Sequence, residues 1–149
     1  MTYRAPAAAI EFTLANVIGA DRLTETSKYK EATADLRMAI LTEAGKMAED
    51  VLAPLQRAGD LEGAKLENGV VRASPGYDKG YNAIREGGWV AVSAPEEFGG
   101  MGLPMILTTA VNEMMSSSCL SLSLNPLMTQ GQIDALEYHA SDEIKATYL

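Results

Sequence analysis

The sequence predicts an all-α fold carrying one small β-hairpin, on three observations. From Thr33 to Leu55, apolar residues recur every three or four positions, the period of an amphipathic helix. Proline or small polar residues open, and glycines close, several other stretches of that period. Asn68-Gly69 supplies the pair that a tight hairpin turn needs, because both central positions of a type I′ turn require positive φ.

The elements follow in order. Ala7 to Val17 reads as a short helix through Ile10, Leu14, Val17 and Ile18, with Pro6 at a favourable first-turn position. Thr33 is a helix N-cap with Asp35 in the first turn, where a carboxylate favours the helix dipole. Leu36, Ile40, Ala44, Met47, Val51 and Leu55 then form the inward stripe, and Pro54 with Gly59 and Gly63 is expected to end the helix. Leu66 to Val71 is the hairpin. Ser74-Pro75 reads as N-cap and first helical residue of a helix bearing Tyr77, Tyr81 and Ile84, which Gly87-Gly88 stops. Another helix begins near Gly102-Leu103-Pro104, with Leu103, Leu107, Ala110, Val111 and Met114 on one face. Leu120, Leu122 and Leu124 alternate with serines, yet the flanking helical pattern favours helix, with a boundary or kink at Asn125-Pro126. Ser141-Asp142-Glu143 is a good helix start with only Ile144 to Leu149 after it. So short a helix is marginal alone, and the chain is expected to be the front part of something longer.

The 149 residues are 47% hydrophobic and 21% charged, a globular composition that predicts a single core. A net charge of −8 opposes approach to nucleic acid or an anionic bilayer, so neither is an expected partner. The single cysteine, Cys119, excludes an internal disulfide framework and a multi-cysteine zinc site. The uncharged stretch from Met114 to Ile133 holds too many Ser, Asn, Thr and Gln side chains for a membrane span. The start, Met1-Thr2-Tyr3-Arg4-Ala5-Pro6, lacks the order of a signal peptide, which predicts a cytoplasmic protein.

Few residues suggest self-contained chemistry. Pro95-Glu96-Glu97-Phe98-Gly99-Gly100-Met101-Gly102 matches neither a P-loop nor a dinucleotide fingerprint and reads as a tight, close-packed crossing. No Lys or Arg lies between Arg85 and Lys145 to assist a phosphate there. His139 reads as a helix-end residue, Cys119 as a small buried hydrophobe. Glu113, among apolar neighbours, is either a buried carboxylate or, more in keeping with its helix, a salt-bridge partner. The pairs Met114-Met115 and Met101-Met105 suit core filler or the wall of an apolar pocket.

Gly88-Trp89, the string from Pro95 to Pro104, and the ending Ser141-Asp142-Glu143-Ile144-Lys145-Ala146-Thr147-Tyr148-Leu149 together resemble the N-terminal helical domain of acyl-CoA dehydrogenases. The start Met1 to Pro6 and the run Leu66 to Val71 further resemble a long bacterial branch of that family, which includes 3-methylmercaptopropionyl-CoA dehydrogenases. The resemblance implies an N-terminal extension at 1–32 and the family's helical domain at 33–149, truncated before a middle β-domain and a C-terminal four-helix bundle. It implies an FAD enzyme performing α,β-dehydrogenation of an acyl-CoA thioester, a carboxylate removing the α-proton while the β-hydride leaves for the flavin. Electron-transfer flavoprotein as acceptor and a homo-oligomer are implied as well. The catalytic glutamate and most flavin contacts belong to the other two domains, so no catalytic residue is expected in this chain. Its implied contribution is one wall of the acyl pocket, through Ser123, Leu124, Leu127 and Met128. A helical interaction module without catalysis is the alternative.

Overall fold

The computed structural model describes residues 3–149, and the sequence reading at Met1 and Thr2 lies outside them. Helix α1 (Ala7–Thr13) begins directly after Pro6 and runs into a π turn at Leu14–Ile18. Gly19, left-handed at φ 76°, turns the chain into a 3-10 segment at Ala20–Glu25. Thr33 caps helix α2 (Ala34–Met47), its Oγ1 accepting from the Leu36 N–H at 3.3 Å. That cap satisfies a donor no intrahelical partner can reach.

Pro54 does not end this helix. A π turn at Ala48–Leu52 carries α2 into α3 (Ala53–Glu62), and Pro54 stands in the first turn of α3, where a missing N–H costs least. Gly63 ends α3 at φ 48°, donating to the Gly59 carbonyl. The inward face matches the expected stripe only in part. Ala44 and Met47 are buried as expected, but they are joined by Arg37, Leu41, Ala48 and Leu52, whereas Leu36, Ile40, Val51 and Leu55 are only half-buried. Within the π turn Leu52 rather than Val51 turns to the core.

The hairpin pairs β1 (Lys65–Glu67) with β2 (Val70–Arg72), Leu66 opposite Val71. Asn68 and Gly69 sit at φ 52° and 79°, as the turn demands. Every strand residue is exposed. Helix α4 (Tyr77–Glu86) starts later than expected: Ser74-Pro75 lies in a turn closed by the Tyr77 N–H on the Ser74 carbonyl, and Gly76 at φ 80° is the N-cap. Gly80 and Ile84 face the core from α4, while Tyr81 stays 40% exposed. Between α4 and the next helix, backbone bonds Met101→Ala91, Gly102→Ala94 and Leu103→Val92 fold the glycine string back on the turns that precede it. A Cβ on Gly100 would collide with the Ala94 carbonyl, which explains the close-packed crossing.

Helix α5 (Met105–His139) buries Leu107, Ala110, Val111, Met114 and Met115 against α2 and the π turn that follows it. Its break lies at Cys119 (φ −154°, ψ 82°) rather than at Asn125-Pro126, and Pro126 sits buried beyond it within regular helix. The two arms double back on each other. Asn112 and Gln130, 18 residues apart, exchange side-chain amide bonds at 2.7 and 3.3 Å. A straight helix would hold them about 27 Å apart. Helix α6 (Asp142–Tyr148) closes the chain, capped by Ser141 Oγ accepting from the Ile144 N–H at 3.4 Å. No helix among the described residues is long and apolar enough to cross a membrane.

Candidate functional site

The uncharged stretch folds into a helical hairpin because its serines compete with the backbone at the break. Ser118 Oγ donates to the Met115 carbonyl at 2.9 Å and Ser123 Oγ to the Leu120 carbonyl at 2.8 Å, occupying carbonyls on each side of Cys119. Ser116 and Ser123 hydroxyls then meet across the arms at 3.2 Å. Cys119 itself is fully buried, as a small hydrophobe.

Beyond the break, the second arm has two unlike faces. Leu122, Ser123 and Pro126 are buried against the rest of the domain. Leu120, Leu124, Leu127 and Met128 stand 54%, 52%, 50% and 77% exposed, at i, i+4, i+7 and i+8 on a single outward stripe. Three of the four sequence-predicted residues thus share one open face, and Ser123 lies behind them in the polar seam. Leu120 joins them on this face, and its position one turn before Leu124 is the sequence signal that marks it.

Fully burying side chains of this size is worth about 1.5–3 kcal/mol each. Half of that is still unrealised, so covering the stripe would yield about 4 kcal/mol. An open face cannot enclose a small ligand alone, since such sites bury most of the ligand's surface.

Tyr77 reaches the break from α4. Its hydroxyl is bonded to Ser121 Oγ and receives the Cys119 thiol at 3.8 Å. Burial pushes the Tyr77 phenol above its ordinary value.

The remaining chemical candidates are placed elsewhere. Glu113 is exposed on the rim of an apolar cleft of about 420 Å³ lined by Ile10, Leu14, Ile18 and Ile106, with no cation within ion-pair distance among the described residues. It is therefore neither the buried carboxylate nor the salt-bridge partner its neighbours suggested, because its helix turns it to solvent. A second cleft of about 490 Å³ is lined by Glu96, Glu97, Asp134, Glu137, Lys28, Tyr29 and Tyr138, and none of the four candidate residues reaches it. His139 lies in the last turn of α5. Met114 and Met115 are core filler, whereas Met105 is 50% exposed. Among the described residues no cluster of three or more His, Cys, Asp or Glu can hold a metal.

Residues 34–149 match the family described as "Acyl-CoA dehydrogenase, N-terminal domain". A 3-methylmercaptopropionyl-CoA dehydrogenase of Ruegeria pomeroyi (strain ATCC 700808 / DSM 15171 / DSS-3) is 40% identical over 149 residues, which are 100% of this chain and 25% of that protein. The chain thus spans a quarter of the length of this curated relative. Helical hairpin, glycine crossing and family match coincide along the same residues, and the chain belongs to the acyl-CoA dehydrogenase family as its N-terminal helical domain.

Proposed function

We propose that this chain forms one wall of the acyl pocket in a flavin-dependent acyl-CoA dehydrogenase, an oxidoreductase acting on an acyl-CoA thioester. One observation supports this above all: the outward apolar stripe on the second arm of α5. Leu124, Leu127 and Met128, joined by Leu120, supply the surface for an acyl chain. Ser123 holds the arm from behind and lies one residue from the exposed face.

The residues present suit an acyl chain and not a flavin. FAD carries a pyrophosphate, and this arm offers no Lys or Arg anywhere between Arg85 and Lys145 to meet it. By family likeness, the base that takes the α-proton and most of the flavin contacts lie in polypeptide outside these residues. On this reading the β-domain and bundle of the family cover the stripe, FAD supplies hydride acceptance when bound, and electron-transfer flavoprotein reoxidises it. Homo-oligomeric assembly and a cytoplasmic setting complete the same proposal.

The test is a chimera in which this chain replaces the matching quarter of the 40%-identical relative. Bleaching of flavin absorbance by acyl-CoA is expected, and Leu127→Trp is expected to raise KM most for the longest acyl chains. If KM stays unchanged for every chain length, the wall reading fails. The 149-residue chain alone is expected to purify colourless. Copurifying flavin that an acyl-CoA reduces would overturn the assignment of the cofactor to other polypeptide.

A further inference from the structure

Cysteine has no intrinsic need for the backbone found at Cys119, which is neither helical nor adjacent to proline or glycine. A sharp helix break has an identifiable cause, and here the competing serines occupy the carbonyls without fixing a direction. Direction comes from outside the hairpin. Tyr77, at the start of α4, places its hydroxyl between Cys119, the break itself, and Ser121, in the first turn after it. Gly59 on α3 makes room for that ring: a Cβ there would collide with the Tyr77 hydroxyl. One turn on, Gly80 of α4 receives Leu122 of the second arm, again where no Cβ fits. The second arm is thereby keyed to α3 and α4 at adjacent points.

We infer that Tyr77 is a positioning residue: its hydroxyl, bonded to Ser121 beside the Cys119 break, sets the direction in which the second arm of α5 presents Leu120, Leu124, Leu127 and Met128. The consequence for acyl-chain fit rests on the wall reading above. Tyr77 touches no substrate on this account and acts only through the arm it holds.

Tyr77→Phe keeps the ring and removes the bond, and Ser121→Ala removes the same bond from the other side. Hydrogen exchange, followed by mass spectrometry in the 149-residue chain and in the chimera, reports on the arm directly. Each variant is expected to speed exchange about tenfold in peptides covering 120–130, the effect of losing one hydrogen bond, while peptides covering 34–62 stay unchanged. The double variant is expected to match Tyr77→Phe alone, because the bond that Ser121→Ala removes is already absent there. In the chimera, KM for long acyl-CoA rises several-fold while kcat for the shortest acyl-CoA holds. Unchanged exchange over 120–130, or additive effects in the double variant, overturns the role of Tyr77. Faster exchange with no movement of any KM leaves Tyr77 in place and instead removes the wall reading.

Discussion

Arg37 grips both carboxylate oxygens of Glu11, with Nε at 3.2 Å from each and Nη2 at 2.8 Å from Oε1. The side chain is fully buried, and it also reaches Asp21 at 2.6 Å and the Ala32 carbonyl at 3.0 Å. One guanidinium on α2 thus ties down three separate points of the first 32 residues. The Glu11 hydrogen bond, aided by Asp21, holds the Arg37 group above its ordinary value despite desolvation. Arg37→Ala leaves the half-buried Glu11 carboxylate without its partner and is expected to cost about 3 kcal/mol in urea unfolding. Arg37→Lys is expected to recover little of it, since an ammonium cannot span the same fork of acceptors.

Glu49 fastens the chain start in a second place. It accepts the Ala5 N–H at 2.9 Å and the Arg4 guanidinium at 2.5 Å. The Ala5 bond first and then Arg4 lower its carboxyl below the ordinary 4.5. The folded state therefore binds the proton less tightly than the unfolded state. The contribution of this contact is full above pH 4.5 and is lost as pH falls through the depressed folded value. The Ala5 amide resonance, followed from pH 7 downward, is expected to shift only below that range, and Glu49→Gln is expected to abolish the shift.

Two glycine-to-alanine changes are expected to have opposite signs. At Gly100 the new Cβ meets the rigid Ala94 carbonyl, so Gly100→Ala destabilises by about 2 kcal/mol. Gly131 is helical with nothing within 4 Å of a new Cβ, so Gly131→Ala stabilises by about 0.8 kcal/mol through helix propensity. Thermal melts of the two variants against the parent decide both.

The amide pair across the α5 hairpin sets register between the arms. In a double-mutant cycle, Asn112→Ala and Gln130→Ala are expected to show a coupling of about 1 kcal/mol, the net worth of such bonds when half-buried. A coupling near zero would mean the arms are held by apolar packing alone.

Local chemistry was legible in the sequence wherever a single turn decides the outcome. Thr33 and Ser141 cap the helices they announce, and Asn68-Gly69 makes the hairpin. Prolines misled, because Pro54 and Pro126 both sit inside helical chain. The π turn after α2 absorbs one of them, and no residue pattern of period 3.6 announces such a turn. Arg37 in line with Leu41, Ala44 and Ala48 is a legible sign of a buried charge, masked by the apolar Leu36 and Ile40 beside it. The break at Cys119 was written in the run of serines, but its direction depends on Tyr77, distant in sequence. Of the wall, the stretch around Ser123 to Gly131 came from family likeness, and only the fold shows which side of it is open.

The central claim is that the second arm of α5 folds back and turns its Leu-Met stripe toward an acyl chain. A photoreactive acyl-CoA carrying a diazirine near the chain terminus, irradiated in the chimera and mapped by mass spectrometry, tests this directly. Adducts on Leu124, Leu127 or Met128 are expected. Adducts confined to the cleft lined by Ile10, Leu14 and Ile106, with none between residues 120 and 131, would contradict it.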